Sequence, residues 1–384
     1  MALLLLVFAV VFLWLALHPF TTFPLSLALL ARLGIGKPTV SIAPATARPL
    51  TFAICTCAYN EEAVIDAKMR NLLALRDRSP GLDILVYVDA AGDRTAAICQ
   101  PYADRIKLHV ADQRHGKTHG MNLLVQNTQA DIVIFTDANV VLAVDIVERL
   151  RSHFQDEGVG LVCGKLTYVN SAASVTAWTG SVYWRIEERI KRLETATGSV
   201  IGADGSLFAM RRDLHRAPPD HIIDDFYVAL MVMCQGKRII QATDVNAFEE
   251  SVEVTHEEFR RKIRIACQAF NVHRLLWSQV RRLDALTLYK YVSHKLLRWL
   301  SIFTLAASFV MALLATVVGG WWILTLLLAV SPPLLWALGS RWPVRPVSTV
   351  YDMLVAFTGV GLGVLESLRG KRFQTWSPAA SLRK

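Results

Sequence analysis

The sequence predicts an α/β domain with a mostly parallel, Rossmann-like sheet, held between transmembrane helices at its N- and C-terminal ends. Three observations predict it. Short apolar runs alternate with amphipathic helical patterns between about residues 51 and 139, the pattern of consecutive βαβ units. The chain is 53% hydrophobic and 19% charged, with a mean hydropathy of +0.36, too apolar for an ordinary soluble enzyme and too charged for an all-membrane protein. The apolar excess lies at the ends: residues 1–31 carry no charged side chain, and apolar runs return after 298. The chain therefore divides into an N-terminal anchor (1–37), a globular domain (38–282), an interfacial helix (283–297), a transmembrane hairpin (298–340), and an interfacial or membrane helix with a basic tail (341–384).

Ala2 to Leu17 is a nearly pure apolar run. No basic residue precedes it and no clear cleavage site follows it, so it reads as a retained anchor rather than a secretory signal. Pro19 and Pro24 break or kink it, and Arg32 and Lys37 mark the cytoplasmic side. Thr51–Tyr59 is a strand, followed by Asn60-Glu61-Glu62 and a helix through Ala67, Leu72, Leu73 and Leu75. Ile84–Val88 is a second strand, ending in Asp89, with a turn at Gly92-Asp93 and a helix from Thr95. Ile106–Val110 is a third. The loop Asp112–Lys117 then leads into a helix with Met121, Leu123, Leu124 and Val125. Ile132–Thr136 is a buried parallel strand running straight into Asp137-Ala138-Asn139. Beyond it the pattern is less regular. Val175–Leu193 is helical and contains Trp178, Tyr183 and Trp184. Gly198–Met210 is rich in small residues and carries Asp204. Ile222-Ile223-Asp224-Asp225-Phe226 opens another helix, and Arg260–Gln268 is basic and amphipathic.

At the C-terminal end, Trp299–Val318 and Trp321–Leu338 are uncharged and long enough to span, with Gly319-Gly320 as the turn of a hairpin. Leu283–Leu297 is basic and amphipathic and lies along the interface. Val350–Leu368 contains Asp352, Glu366 and several glycines, and precedes Arg369-Gly370-Lys371-Arg372. A full span there would put the basic tail outside, so an interfacial or re-entrant helix is preferred to a span. Arg and Lys beside the apolar segments, Lys290, Lys295 and Arg298 among them, account for the net charge of +9. No basic patch interleaved with aromatics marks the domain, which excludes nucleic acid as a partner. The six cysteines form no CxxC pair and read as core thiols, with neither a zinc site nor a disulfide framework.

Asp137 and Asn139 are i and i+2 at the carboxyl end of a strand, where open α/β sheets bind ligands. Their hard oxygen atoms suit Mg²⁺ or Mn²⁺ shared with substrate phosphates. The alternative is that they cap the next helix.

Seven stretches then occur in order: Ala58-Tyr59-Asn60-Glu61-Glu62, Val88-Asp89-Ala90, Gly116-Lys117 with Asn122, Thr136-Asp137-Ala138-Asn139, Gly202-Ala203-Asp204-Gly205, Asp224-Asp225 and Arg261-Lys262-Ile263-Arg264-Ile265. Together they resemble the family-2 glycosyltransferases, and among them the membrane-bound synthases of cellulose, chitin, hyaluronan and poly-N-acetylglucosamine. The resemblance implies a GT-A fold, a nucleotide-sugar donor of the UDP-sugar kind, and Mg²⁺ or Mn²⁺. It implies that Ala58, Tyr59, Asn60, Glu61, Asp89, Lys117, Asp137, Arg261 and Arg264 bind the donor, with Asp89 on the uracil or ribose. By the same resemblance Asp137 and Asn139 hold the metal, and Asp225 is the catalytic base with Asp224 beside it. Asp204 contacts the acceptor or serves only its turn. Trp184 is an acceptor platform, or else packs in the core or at the membrane interface. Three positions depart from the family. Asn139 stands where a second Asp is usual, leaving the metal site one charge less negative. Asp224 stands where Glu is commoner. Ile265 replaces a Trp and lacks the flat face on which an acceptor sugar stacks.

First principles agree. Inverting sugar transfer needs a Lewis acid on the leaving diphosphate, a carboxylate to take the acceptor's proton, and cations to hold the departing charge. Asp137 with Asn139, Asp225, and Lys117, Arg261, Lys262 and Arg264 supply these in turn. The function expected is an inverting, membrane-embedded hexosyl- or N-acetylhexosaminyltransferase extending an exopolysaccharide. It is placed in a bacterial-type inner (plasma) membrane, multi-pass, with its domain cytoplasmic, and in contact with membrane lipids and polysaccharide-export partners. The alternatives are single addition to a lipid-linked acceptor, and a non-catalytic glycan-binding scaffold.

Overall fold

The computed structural model describes residues 1–42, 48–169, 175–249, 255–341 and 347–375, without the side chains of 175–184 and 255–258. The side chain of Trp184, the expected acceptor platform, therefore lies outside the described residues. Eight strands form one sheet: β1 (Phe52–Ala58), β2 (Asp83–Val88), β3 (Lys107–Val110), β4 (Ile132–Thr136), β5 (Val141–Leu142), β6 (Val159–Tyr168), β7 (Leu207–Arg211) and β8 (Arg238–Glu249). Their order is β3-β2-β1-β4-β7-β6-β8-β5. The first four are mutually parallel, as the alternation of strands and helices implies. In the second half β7 runs antiparallel to β4 and β6, β5 runs antiparallel to β8, and β6 runs parallel to β8.

Helices cover both faces, and β1 shows why its sequence is apolar at every position but Thr56. Ala53, Cys55 and Cys57 enter a core shared with helices Lys117–Gln126, Asp224–Cys234 and Thr255–Val280. Phe52, Ile54 and Ala58 enter the opposite core, with Ile65–Arg78 and Ile146–His153. Side chains alternate across a strand, so a strand covered on both faces needs apolar residues on both. All six cysteines are free, and only Cys234 is not fully buried. The chain passes from β1 outward to β2 and β3, then returns to β4 on the other side of β1. That reversal opens a crevice at the carboxyl ends of the strands, where Tyr59, Asp89 and Asp137 emerge.

Among the described residues four helices are long and apolar enough to cross a membrane: Ala2–Phe20, Ala285–Val318, Trp322–Arg341 and Val347–Leu368. The first anchor helix ends at Leu17, before Pro19. A second, Thr22–Arg32, tolerates Pro24 in its first turn, where no intrahelical N–H is lost. Ala2–Leu17 lies along Leu297–Val318, with Ser308 Oγ donating to the Ala9 carbonyl (2.7 Å) and Ser301 Oγ to that of Ala16 (3.4 Å). Each pair repeats after seven residues, and small residues at that spacing let two apolar helices approach closely. Ala285–Tyr291, a π-helical turn Val292–Leu296 and Leu297–Val318 follow one another without a break.

Helix Val347–Leu368 crosses Thr255–Val280 through its glycines: a Cβ on Gly359 would lie 3.1 Å from the Phe259 ring, and one on Gly363 2.6 Å from Ala266. The chain beyond it folds back onto the domain. Asn271 Nδ2 donates to the Lys371 carbonyl (3.0 Å), Gln268 Nε2 to that of Phe373 (2.9 Å), and Gln374 Nε2 to that of His115 (3.1 Å).

Candidate active site

The site is built at the carboxyl ends of β1, β2 and β4 and closed by Lys117–Gln126, Asp224–Cys234 and Thr255–Val280. Ala58 ends β1, fully buried. Asn60 takes φ +51°, a conformation Asn tolerates, and its Oδ1 accepts the Gly92 N–H at 2.7 Å. The Glu61 N–H is held by Thr95 Oγ1 at 2.7 Å. The Tyr59 ring lies beneath the Arg114 guanidinium, 3.5 Å from its centroid, a cation–π contact.

Asp89 is fully buried, and its carboxylate accepts the N–H groups of His115 (2.8 Å) and Gly116 (3.0 Å). It shapes the 112–116 loop from inside. Tyr59, Arg114 and the loop it holds form the accessible surface over it.

Lys117 opens its helix and donates to Asp137 Oδ1 at 2.6 Å. Burial works against its charge, yet Asp137, Asp224 and Asp225 together hold its pKa above the ordinary lysine value. Asp137 and Asn139 cap no helix; the next one begins at Ile146, after Asp145. Asn139 Nδ2 instead donates to Glu249 Oε1 at 2.8 Å. Glu249, the last residue of β8, is buried, and burial together with Asp137 pushes its carboxyl up to about 7. Below the Asp137 turn lies Lys68, fully buried, donating to Thr136 Oγ1 (3.0 Å) and the Val140 carbonyl (2.6 Å). Burial lowers its pKa to about 7, with Asp137 opposing.

Glu249 and Lys68 escape the sequence reading. Lys68 left a signal, a lysine on the apolar face of Ile65, Met69 and Leu72. Glu249 left none, because its partner lies 110 residues away.

The residues present fit a divalent cation. Asp137 and Glu249 bring carboxylate oxygens near one another, with Asn139 bonded to Glu249, and burial first and then Asp137 raise the Glu249 carboxyl. Among the described residues no group of three His, Cys, Asp or Glu side chains is arranged to hold a metal ion unaided. The protein thus offers a partial shell and leaves positions for phosphate and water, as Mg²⁺ prefers.

Asp224 and Asp225 open helix Asp224–Cys234, where acids favour the helix dipole. Asp224 is buried, and its Oδ2 has no hydrogen-bond partner among the described residues. Burial first, and then the charge of Asp224, raise the Asp225 pKa to about 7, with Lys117 pulling the other way. Gly205 leaves the space between them. A Cβ there would lie 2.8 Å from Asp225 Oδ2 and 3.5 Å from Lys117 Nζ. Asp204 holds its own turn, accepting the Ser206 N–H at 3.1 Å. Arg264, half-buried, contacts Gln268 Oε1 at 3.4 Å; burial and Arg261 lower its pKa, while Asp225 and Asp137 act against them. Lys117, Asp137, Asn139, Asp204, Asp224, Asp225, Arg261 and Arg264 thus share one charged crevice; Asp89 stands behind it.

Residues 53–217 match the family described as Glycosyl transferase family 2. An N-acetylglucosaminyltransferase of Rhizobium leguminosarum bv. viciae is 23% identical over 224 residues, 53% of this chain and 52% of the relative. One of Rhizobium meliloti (strain 1021) is 23% identical over 309 residues, 75% of this chain and 72% of the relative. The match thus spans about half the length of the first of these curated relatives. Among solved structures, the mannosyltransferase PcManGT from Pyrobaculum calidifontis, in complex with GDP-Man and Mn²⁺, superposes with a TM-score of 0.69 at 20% identity, covering 96% of this chain and 99% of its own. At that identity the likeness is one of fold, and the fold is GT-A. The stretch that matches the family 2 glycosyl transferases lies between long apolar helices.

Proposed function

We propose that the chain is an inverting glycosyltransferase of the cytoplasmic membrane face, moving N-acetylglucosamine from a UDP-linked donor to a growing glycan. The observation that carries the reading is Lys117: its ammonium is hydrogen-bonded to Asp137 and lies close to Asp225, with Gly205 keeping the space between open. A leaving-group side and a base side thereby meet where Gly205 contributes no side chain. The choice of sugar rests on the names of the curated relatives.

In this reading Asp137, with Asn139 and Glu249 behind it, holds Mg²⁺ or Mn²⁺, which neutralises the departing diphosphate. Lys117, Arg261 and Arg264 hold the remaining phosphate charge. Tyr59 and the loop that Asp89 shapes receive the base. Asp225 accepts the acceptor hydroxyl's proton, and its raised pKa suits a base working near neutrality. Asp204 orients the acceptor.

A second reading, single addition to a lipid-linked acceptor, has one observation in its favour. Ile265 is 37% exposed where a stacking aromatic would serve a sliding glycan. Incubating the full chain in lipid nanodiscs with labelled UDP-N-acetylglucosamine, and sizing the product, tests both. A ladder or polymer supports the first and a one-step shift the second. No transfer from any of a panel of nucleotide sugars sinks the enzyme reading.

A further inference from the structure

Lys290 and Arg298, which look in the sequence like ordinary membrane flank, face the α/β domain instead, and so does His294 between them. Lys290, His294 and Arg298 recur every four residues, so they share one side of the helical run entering the membrane. The π-helical turn Val292–Leu296 lies inside this run; such turns are short and cluster at functional sites. Lys290 and His294 are fully buried, which excludes the snorkelling role of a flank residue.

Each of the three side chains has a partner on the domain. Arg298 Nη1 donates to Glu187 Oε2 at 2.5 Å. The His294 ring sits between two acids, Nε2 3.1 Å from Glu187 Oε1 and Nδ1 2.7 Å from Glu194 Oε1. Lys290 Nζ donates to the carbonyls of Ser199 (2.8 Å), Thr197 (3.1 Å) and Glu194 (3.3 Å). The second oxygen of Glu194 accepts the Ile201 N–H at 3.1 Å.

Lys290 and His294 therefore grip Thr197–Ile201, and the next four residues are Gly202-Ala203-Asp204-Gly205. Gly202, at φ +100°, rests against the Phe226 ring. Phe226 follows the base Asp225 and meets the Trp299 ring edge-on, 5.9 Å between centroids, one residue past Arg298. Buried charges are costly and seldom add net stability. Holding several of them where apolar residues would pack is better explained by geometry than by strength.

We propose that Lys290 and His294 are positioning residues that set the 202–205 loop against Asp225, so that the membrane-entry helix and the acceptor side of the site move as one body. The proposal rests on the reading of 202–205 as the acceptor loop.

The test uses the full chain in nanodiscs, UDP-N-acetylglucosamine as donor and a short N-acetylglucosamine oligomer as acceptor. Lys290→Met and His294→Gln should each speed amide exchange over 198–206 and raise acceptor KM about tenfold, the scale of a lost hydrogen bond to a charged group. Donor affinity by calorimetry should stay within about twofold, and amide exchange elsewhere in the domain should be unchanged. The pair His294→Gln with Glu194→Gln restores a neutral hydrogen bond and should recover most of the loss. Unchanged acceptor KM in both single variants, or an equal loss of donor affinity, overturns the proposal. Asp204→Ala separates the two ways of failing. If it too leaves acceptor KM unmoved, the acceptor-loop reading is wrong. If it raises acceptor KM while His294→Gln does not, only the positioning claim falls.

Discussion

Lys117 Nζ lies 2.6 Å from Asp137 Oδ1 and lowers the pKa of Asp225 on its other side. In the proposed reaction one ammonium thus serves both halves, steadying the acid at the donor end and favouring the ionised form of the base. Lys117→Met removes that help. The Asp225 pKa should climb further, and because only the ionised carboxylate accepts a proton, the acid limb of the kcat–pH profile should move to higher pH by about one unit, a change of ~1.4 kcal/mol in the balance of the two forms. A limb that does not move would show that Lys117 acts on the donor alone.

Asp225→Asn keeps size and hydrogen bonding but cannot take the proton. Transfer should fall by ~10²–10⁴-fold with donor affinity nearly unchanged. Asp224→Asn should cost less and move the wild-type acid limb, near pH 7, downward, since the negative charge that raises Asp225 is gone. Calorimetry beside transfer rates checks both. A milder loss in Asp225→Asn than in Asp224→Asn would give the base to the neighbour.

Asn139→Asp exchanges an amide that donates to Glu249 for a second carboxylate against it. Without metal the variant should be destabilised by about 1–3 kcal/mol, through a lost hydrogen bond and added repulsion. Mn²⁺ should bind it more tightly than wild type and restore its Tm. Asp137→Ala should lose Mn²⁺ binding, seen by electron paramagnetic resonance, together with turnover. Full activity in chelator would remove the metal from the scheme.

The hydrogen bond from Gln374 Nε2 to the His115 carbonyl puts the tail beside the donor loop. Cysteines placed at Gln113 and Thr375 in a cysteine-free background should both resist an impermeant thiol reagent on intact cells and both react after lysis. Labelling of either on intact cells would reverse the orientation assigned from Arg32, Lys37 and the basic tail.

The first half of the sheet is legible in the sequence because β1, β2 and β4 are buried on both faces and leave unbroken apolar runs. β6, β7 and β8 are not legible. β6 carries Gly160, Gly164 and Lys165, and β8 alternates buried with exposed positions, with register shifts where the two pair. Polar positions tolerated at such irregular pairing erase the periodicity that marks a strand. Asp89, Asp137, Asp224 and Asp225 stand out because each directly follows an apolar strand or opens a helix. Glu249 and Lys68 matter only through partners that the fold brings from far away. The flank cations mislead for a physical reason: the charge rule at a membrane boundary counts lysines and arginines without saying which way they face.

The reach of the tail also sets an order of events during synthesis. Gln374 meets His115 across 259 residues. At roughly 5–20 residues per second, the ribosome makes that stretch in ~10–50 s. The loop over the donor end is therefore made first and steadied last, after the apolar helices have left the ribosome. Until then the 112–116 loop lacks its contact with Gln374, which only a chain whose apolar helices have already been made can supply.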